Sequence, residues 1–337
     1  MEYIVEHATR DLIARKGVSW LRIVDFSLEE IKAATALSVQ NYEEERKKAP
    51  LLPPQESGLN LELFTDNGMG VAAYRDETLV GFLCGMNPSL NAFRSTDVSG
   101  VFVPMGAVAT TQEGRAEILA LLYQAVAERW VRAKVISHAV CLYAHDEISQ
   151  QLFFHYGFGR RCIDAVRLMV PFHCSPAVLG YRYTELSFSQ FNTVYLLDQM
   201  LNAHLKKSPT FINREGNSIT KFISDCETDA ARIFAAYHDD QICAFLRIVD
   251  SGETFITPRA DSKHINGAYC LQTHRRQGVF SNLLNHAIAI LSDEGYTYLG
   301  VDYESINPSA DQFWKKYFTP YTHSVVRRID DKILNLK

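Results

Sequence analysis

One stretch of the chain occurs twice. Val71-Ala72-Ala73-Tyr74-Arg75-Asp76-Glu77-Thr78-Leu79-Val80-Gly81-Phe82-Leu83 returns 163 residues later as Phe234-Ala235-Ala236-Tyr237-His238-Asp239-Asp240-Gln241-Ile242-Cys243-Ala244-Phe245-Leu246. Each copy reads as strand, acidic tight turn, strand, which is a β-hairpin. Nearly the same spacing recurs elsewhere. Phe26-Ser27 matches Phe188-Ser189, Leu121-Leu122 matches Leu283-Leu284, and Arg167 matches Arg328. Several collinear matches at a steady spacing mean a duplicated domain, and self-similarity of this kind constrains the fold more than any local motif. A chain of 337 residues also exceeds what one hydrophobic core usually supports. The expected domains are residues 1–172 and 181–337. Between them, near Pro171 to Gly180, His173-Cys174-Ser175-Pro176 breaks any regular pattern.

Within each copy the order reads as strand, helix, a Pro-containing connection, hairpin, strand, amphipathic helix, strand, helix and a last strand. Antiparallel pairs come first and a β-α-β unit follows, so the fold class is α/β (α+β), each domain a mixed central sheet flanked by helices. Ser27 and Ser189 stand where helix N-caps are expected, and Ser27-x-x-Glu30 reads as a capping box.

Net charge is −5 and no basic stripe is present, so a nucleic-acid partner has little support. No apolar run approaches a membrane span, and Met1 to His7 lack the pattern of a secretory leader, which makes the cytoplasm the default. The seven scattered cysteines lack CxxC spacing and read as reduced thiols. The eleven histidines form no metal-binding pattern, so no metal is expected.

The chemistry is concentrated in the second copy. Gly267 to Leu271 reads as a buried strand and Val279 to Leu291 as a helix, joined by the basic loop Thr273-His274-Arg275-Arg276-Gln277-Gly278. A strand feeding a helix N-terminus in this way directs free backbone N–H groups and the positive end of the helix dipole at one point, which is a phosphate site. Gly278 allows close approach, and Arg275 and Arg276 add charge. Two adjacent arginines at a helix N-terminus are unfavourable unless an anion joins them.

Arg275-x-x-Gly278-x-Phe280 resembles the pyrophosphate loop of the GNAT (general N-acetyltransferase) superfamily, and Asn307-Pro308-Ser309-Ala310 resembles its N-x-x-A helix beside the pantetheine arm. The resemblance covers both copies in element order, with good motifs only in the second. It implies acetyl-coenzyme A as co-substrate, bound by Leu271, Gln272, Thr273, Arg275, Arg276, Gln277, Gly278, Val279, Phe280 and Asn307, with the N–H of Leu271 or Gln272 on the thioester oxygen. It also implies that the strand Tyr298 to Glu304 parts from its neighbour to admit the thioester, and that the segments Asn41 to Pro54 and His204 to Phe211 lie in the region that roofs the acceptor. The expected acceptor is a small-molecule or peptide amine; an oligomer is left open.

Two family positions are altered. Asn266 stands where many members carry a glutamate base, and Trp314 where they carry a tyrosine acid. Asp302 and Glu304 become the candidate bases and Tyr317 and Tyr303 the candidate acids, with Tyr303 on the strand face opposite Asp302 and Glu304, so only one set can face the cleft. In the first copy Glu113 falls opposite Arg275, Ala116 opposite Gly278 and Glu117 opposite Val279, so that copy is expected not to bind coenzyme A. The alternative to an N-acetyltransferase is a non-catalytic acyl-coenzyme A-binding or sensing protein of the same fold.

Overall fold

The computed structural model describes residues 21–335 except 56–57, 95–96 and 175–178; Ser175 and Pro176 of the expected junction therefore lie outside the described residues. The first copy runs β1 (Leu21–Asp25), α1 (Ile31–Lys48), β2 (Gly70–Arg75), β3 (Thr78–Cys84), β4 (Gly100–Val103), β5 (Val108–Thr110), α2 (Arg115–Arg132), β6 (Ser137–Tyr143), α3 (Glu147–His155) and β7 (Gly159–Leu168). The second runs β8 (Tyr181–Glu185), α4 (Tyr195–Leu205), α5 (Ile219–Thr228), β9 (Arg232–His238), β10 (Gln241–Val249), β11 (Ser262–Cys270), α6 (Val279–Asp293), β12 (Tyr298–Glu304), α7 (Pro308–Tyr317), the short β13 (Thr319–Pro320) and β14 (Thr322–Arg328). Both copies follow the expected order except that the first has two strands, β4 and β5, where one was expected before α2, and that α4 and α5 together stand where the first copy has α1.

The repeated hairpins are β2–β3 and β9–β10. Asp76, Asp239 and Asp240 sit at positive φ (54°, 47° and 59°), the backbone shape that lets a two-residue turn follow the twist of its strands. Ser27 caps its turn with Glu30, whose Oε2 accepts from both Ser27 N (2.8 Å) and Ser27 Oγ (2.7 Å). In the second copy the capping box is Ser187 with Gln190, not Ser189, whose hydroxyl only meets that of Ser187. The phase of the long helices also differs from the Leu-Leu match. Leu283, Leu284, Ala287, Ile288 and Leu291 are buried, and so are Ile118, Leu119, Leu122, Tyr123 and Val126, which places the correspondence three residues away from Leu121-Leu122.

The chain forms two compact units, and they do not divide at residue 172. The first comprises residues 1–48, 54–160 and 322–337; the second comprises 49–53 and 161–321. The last strand of each copy therefore completes the sheet of the other unit. β14 pairs antiparallel with β6 from Thr322↔Tyr143 to Arg328↔Ser137, and β7 pairs antiparallel with β12 from Tyr298↔Leu168 to Glu304↔Cys162. Hydrophobic alternation locates a strand but not the edge it joins, and duplicated strands suit either edge.

In the first unit β1-β2-β3-β5 make one antiparallel sheet, and β4 pairs parallel with β6; Trp130, Phe82, Phe153 and Ile118 fill its core. In the second unit β8 to β11 are antiparallel, β11 and β12 are parallel, and β7 follows on β12. Leu283, Leu284, Ile288 and Leu291 of α6 and Trp314 of α7 bury one face of this sheet against Ile265, Leu299, Val301 and Tyr303. Leu197 of α4 and Phe222 and Cys226 of α5 bury the other face against Ile233, Ala235 and Phe245. At roughly 1.5–3 kcal/mol per large apolar side chain, these two layers hold the sheet rigid beneath the site.

Candidate active site

In the second unit β11 and β12 are joined only from Ser262↔Tyr298 to Ile265↔Val301. β11 stays on β10 as far as Cys270, and β12 stays on β7 as far as Glu304, so beyond Ile265 and Val301 the two parallel strands part. A bulge supplies the kink: Arg247 pairs with Gly267 and Ile248 with Ile265, leaving Asn266 as the extra residue. The expected splayed strand is thus one arm of an open fork between residues 266–270 and 302–304.

Backbone polarity in the fork follows from strand alternation. Leu271 N–H is bonded to Cys243 O at 2.9 Å, on the β10 side. Leu271 therefore does not offer the free N–H expected of it. Successive N–H groups along a strand point to opposite edges, so that of Cys270, the last residue of β11, points toward β12 and the fork, while Gln272 lies beyond the strand at the start of a 3-10 turn. The carbonyl of Cys270 is held by Arg275 Nε at 2.8 Å, which fixes the end of the strand.

The loop beyond is braced by its own side chains. Gln277 Nε2 donates to Thr273 O at 2.9 Å; Tyr181 Oη donates to Gln277 Oε1 at 3.2 Å and lies 2.8 Å from His274 Nδ1. Arg276 (φ 63°) and Gly278 (φ 76°) both take the left-handed conformation that turns the chain into α6. Gly278 is the N-cap and provides no side-chain acceptor; Ser281 Oγ and Asn282 Nδ2 both donate to its carbonyl, leaving the first N–H groups of α6, beginning at Val279, uncapped. Thr273, Arg276 and Gln277 are exposed. Arg275 is drawn inward over Tyr269, 5.2 Å from the ring centroid, so Arg276 is the arginine available to an anion. Val279 is buried in the core, and Phe280 packs edge-on to Phe313 (5.0 Å) and Trp314 (5.9 Å). Those two residues contribute backbone at the helix start while their side chains anchor α6 to α7.

The face of the fork toward α4 is charged. Asp302, the first residue past the last rung, bonds His264 Nε2 at 2.9 Å. His264 is 2% exposed and was not among the residues expected at the site. Its ring is clasped by glycines: a Cβ on Gly252 or Gly300 would come within 2.4 or 2.6 Å of it. Its Nδ1 is buried without a partner, which favours the tautomer that donates from Nε2. Burial pushes the Asp302 carboxyl up, but the His264 hydrogen bond and charge, with Arg214 nearby, outweigh it and leave Asp302 below the ordinary aspartate value. Glu304 is held by Arg161 Nε at 2.6 Å. Asp302 is therefore not poised as a general base, whose pKa should lie near the working pH, and Glu304 is engaged by Arg161. Asp302 is a standing negative charge that attracts cations. Asn266 is exposed, and its carbonyl accepts from Arg247 Nη2 at 2.7 Å. Arg247 lies over Gly267, 3.3 Å from where a Cβ would be, and 3.8 Å from Asp198 of α4.

The candidate acid is elsewhere. Tyr317 closes the last turn of α7, about 15 Å along the helix from Asn307 at the mouth of the fork. It stacks with Phe172 (4.6 Å) and Phe313 (4.9 Å). Trp314 is core, as is Tyr303. Asn307 is the N-cap residue of α7, and its Oδ1 accepts from Ser309 Oγ at 2.8 Å and lies 3.4 Å from His204 Nε2. The structure therefore gathers the loop, Asn307, Asp302 and Glu304 about one fork, and leaves Tyr317 out.

The corresponding place in the first unit is filled by the protein. α2 begins at Gly114 (φ 74°), the counterpart of Gly278, so the glycine is kept and Ala116 is not its replacement. The loop from Thr110 to Gly114 is four residues shorter than that from Cys270 to Gly278. Asn41 of α1 bonds both Thr110 N–H (3.1 Å) and Thr110 O (3.0 Å), the last residue of β5. Arg115, at the first turn of α2, is buried between Glu44 (2.7 Å) and Asp146 (3.2 Å). Glu113 and Glu117 are exposed.

Among the described residues no group of three or more His, Cys, Asp or Glu could hold a metal ion, and no helix is long and apolar enough to cross a membrane. Residues 197–318 match the acetyltransferase (GNAT) family. No match was found among curated proteins. A GCN5-related N-acetyltransferase from Sphaerobacter thermophilus is similar in structure, with TM-score 0.57 at 10% identity over 91% of this chain and 95% of that one. A GCN5-related glucosamine N-acetyltransferase region of a fungal multi-domain GH3 β-N-acetylglucosaminidase gives TM-score 0.54 at 11% identity over 92% of this chain and 38% of that one.

Proposed function

We propose that the chain is a tandem protein of the GNAT superfamily and that its second unit, whose residues 197–318 match the acetyltransferase (GNAT) family, moves an acetyl group from acetyl-coenzyme A to a primary amine. The observation that carries this reading is the coincidence, in one unit, of a strand fork with a helix N-terminus that no side chain caps. The N–H groups at the start of α6 and the exposed Arg276 would hold the pyrophosphate, and the fork would take the pantetheine arm. Acetyl-coenzyme A supplies an activated thioester. The Cys270 N–H, which points into the fork, would meet its carbonyl oxygen as that oxygen gains charge. Asp302 holds the incoming ammonium, and juxtaposition of amine and thioester does much of the rest. In the first unit Asn41 and Arg115 occupy the same positions, so coenzyme A binds once per chain.

The test is calorimetry with coenzyme A followed by turnover against an amine panel. One site per chain and acetylated product are expected, with both lost in Arg276→Glu. A second reading, a silent acyl-coenzyme A sensor, draws on Glu304 being tied to Arg161 and Tyr317 lying in an aromatic cluster. Binding with no acetylation of any amine would establish it over the transferase.

A further inference from the structure

Asp198 projects from α4, the helix over the acceptor face, and its side chain is only 13% exposed. Its closest cation, Arg247, rises from β10 and lies across β11 where Gly267 has no side chain, one residue past the point at which the fork opens. Asn266 O (2.7 Å) and the Phe222 ring (5.6 Å) fix that guanidinium. Asp198 thus stands on the β11 side of the fork mouth while Asp302 stands on the β12 side. Arg214, in the connection between α4 and α5, acts on the charge of both.

The two carboxylates differ in environment. Asp302 receives the His264 hydrogen bond, whereas the Arg247 contact of Asp198 is long, at 3.8 Å, and too distant for a hydrogen bond. Burial raises the Asp198 carboxyl above the ordinary aspartate value, and Arg247 and Arg214 offset this only in part. Cys226 on α5 is a further titratable group facing it. Two acids at one site with environments that push them apart commonly divide into a charge holder and a proton carrier.

We infer that Asp198, laid beside the fork with Arg247, is the group that takes the proton from the acceptor's ammonium. This assignment rests on the transferase reading above. The ammonium gives one proton to the Asp198 carboxylate and becomes a neutral amine. Its lone pair forms the C–N bond to the acetyl carbon as the C–S bond breaks, the electron pair leaving on sulfur. The second amine proton goes to the thiolate, and Asp198 returns its proton to water.

The experiment is the pH profile of kcat/KM for wild type, Asp198→Asn, Asp198→Glu and Arg247→Met, using amines of different basicity, with coenzyme A affinity measured in parallel as a check on folding. Wild type should lose activity as pH falls through a limb whose midpoint lies above 3.8 and does not move with the amine. Asp198→Asn should bind coenzyme A as wild type does, lack the limb and fall on the order of 10²- to 10⁴-fold. Asp198→Glu should recover part of that loss. Arg247→Met removes a cation that favours the ionised form, so its limb should move to higher pH. An Asp198→Asn enzyme with wild-type rate and limb overturns the assignment while leaving the transferase reading standing. A wild type that binds coenzyme A and acetylates no amine overturns both.

Discussion

Gly278 and Gly114 offer a matched pair of perturbations. Both cap a long helix in the left-handed conformation, at φ 76° and 74°, and both lie at the same point of the duplicated fold. A Cβ in that conformation costs about 1–2 kcal/mol. At Gly114 the new Cβ would also stand 3.2 Å from Arg75 Nη2, the mobile end of a long side chain that can give way. Gly278→Ala and Gly114→Ala should therefore each lower stability by about 1–2 kcal/mol, and since a domain of this size loses roughly 2–4 °C per kcal/mol, each melting point should drop by about 2–8 °C. Their effects on coenzyme A should differ. At Gly278 any relaxation of the loop swings the uncapped N–H groups away from the pyrophosphate, and 1.4 kcal/mol of lost binding is about tenfold in Kd. At Gly114 the strain falls on a loop that holds no ligand, so affinity should stay at the wild-type value. Thermal unfolding and calorimetry on the two variants decide the matter. Equal loss of affinity in both would refute the assignment of the cradle to the second unit, and an unchanged melting point in both would refute the strain argument.

Two further outcomes test other parts of the structure. His138 is fully buried, accepts from Tyr123 and donates to Val135 O, and burial holds its pKa down at about 4 from 6.5. The unfolded state binds the extra proton between those values, so this contribution to stability is intact above pH 6.5 and is lost as pH falls toward 4, by about 3 kcal/mol. Urea unfolding at pH 7 and pH 4.5 should show that loss in wild type and a smaller one in His138→Gln. Tyr317→Phe should keep kcat and its alkaline limb within about twofold, because a hydroxyl in an aromatic cluster three helical turns from the fork protonates nothing; loss of the limb would reinstate Tyr317 as the acid.

The fold was legible wherever a feature is local. Element order, the acidic hairpin turns, the Ser27 cap and the strand–loop–helix at Gly278 each follow from a short run of residues, and each is present. What could not be read is what depends on residues far apart in the chain. The fate of β7 and β14 is one case, since two copies of one strand carry the same alternation and nothing in either names its edge. His264 is another. It sits among polar residues, Ser262, Lys263 and Asn266, and carries no sign of a role until the strands are paired, when its rung with Gly300 brings it to Asp302; the small residue two places before the acid was the only hint. Asp198 likewise gains meaning only when Gly267 lets Arg247 lie flat across β11. Tyr317 was misplaced for a simpler reason: one turn beyond Trp314 leads along α7 away from the mouth of the fork, not toward it.

Comparison of the copies at a fixed spacing made the first appear to have lost its glycine and gained two acids. The structure assigns the difference another cause. Gly114 remains, and its φ matches that of Gly278 to within a few degrees, so the helix start is built in the same way in both units. The first unit differs in having four fewer residues before that glycine, which removes the basic turn, and in three long-range contacts, from Asn41, Glu44 and Asp146. Asn41 occupies both polar groups of Thr110 at the end of β5, the region that in the second unit faces the fork. Arg115 would be a cation at the positive end of a helix dipole, and it is held there by the carboxylates of Glu44 and Asp146. Shortening the loop and supplying the anion internally are coupled: without Glu44 and Asp146, Arg115 would be a buried unpaired charge, at a cost of several kcal/mol. On this account the glycine, Gly114 or Gly278, is needed for the backbone turn in either unit, and the proposed ligand site would come from the residues around it, Arg276, which the first copy lacks, and the uncapped start of α6.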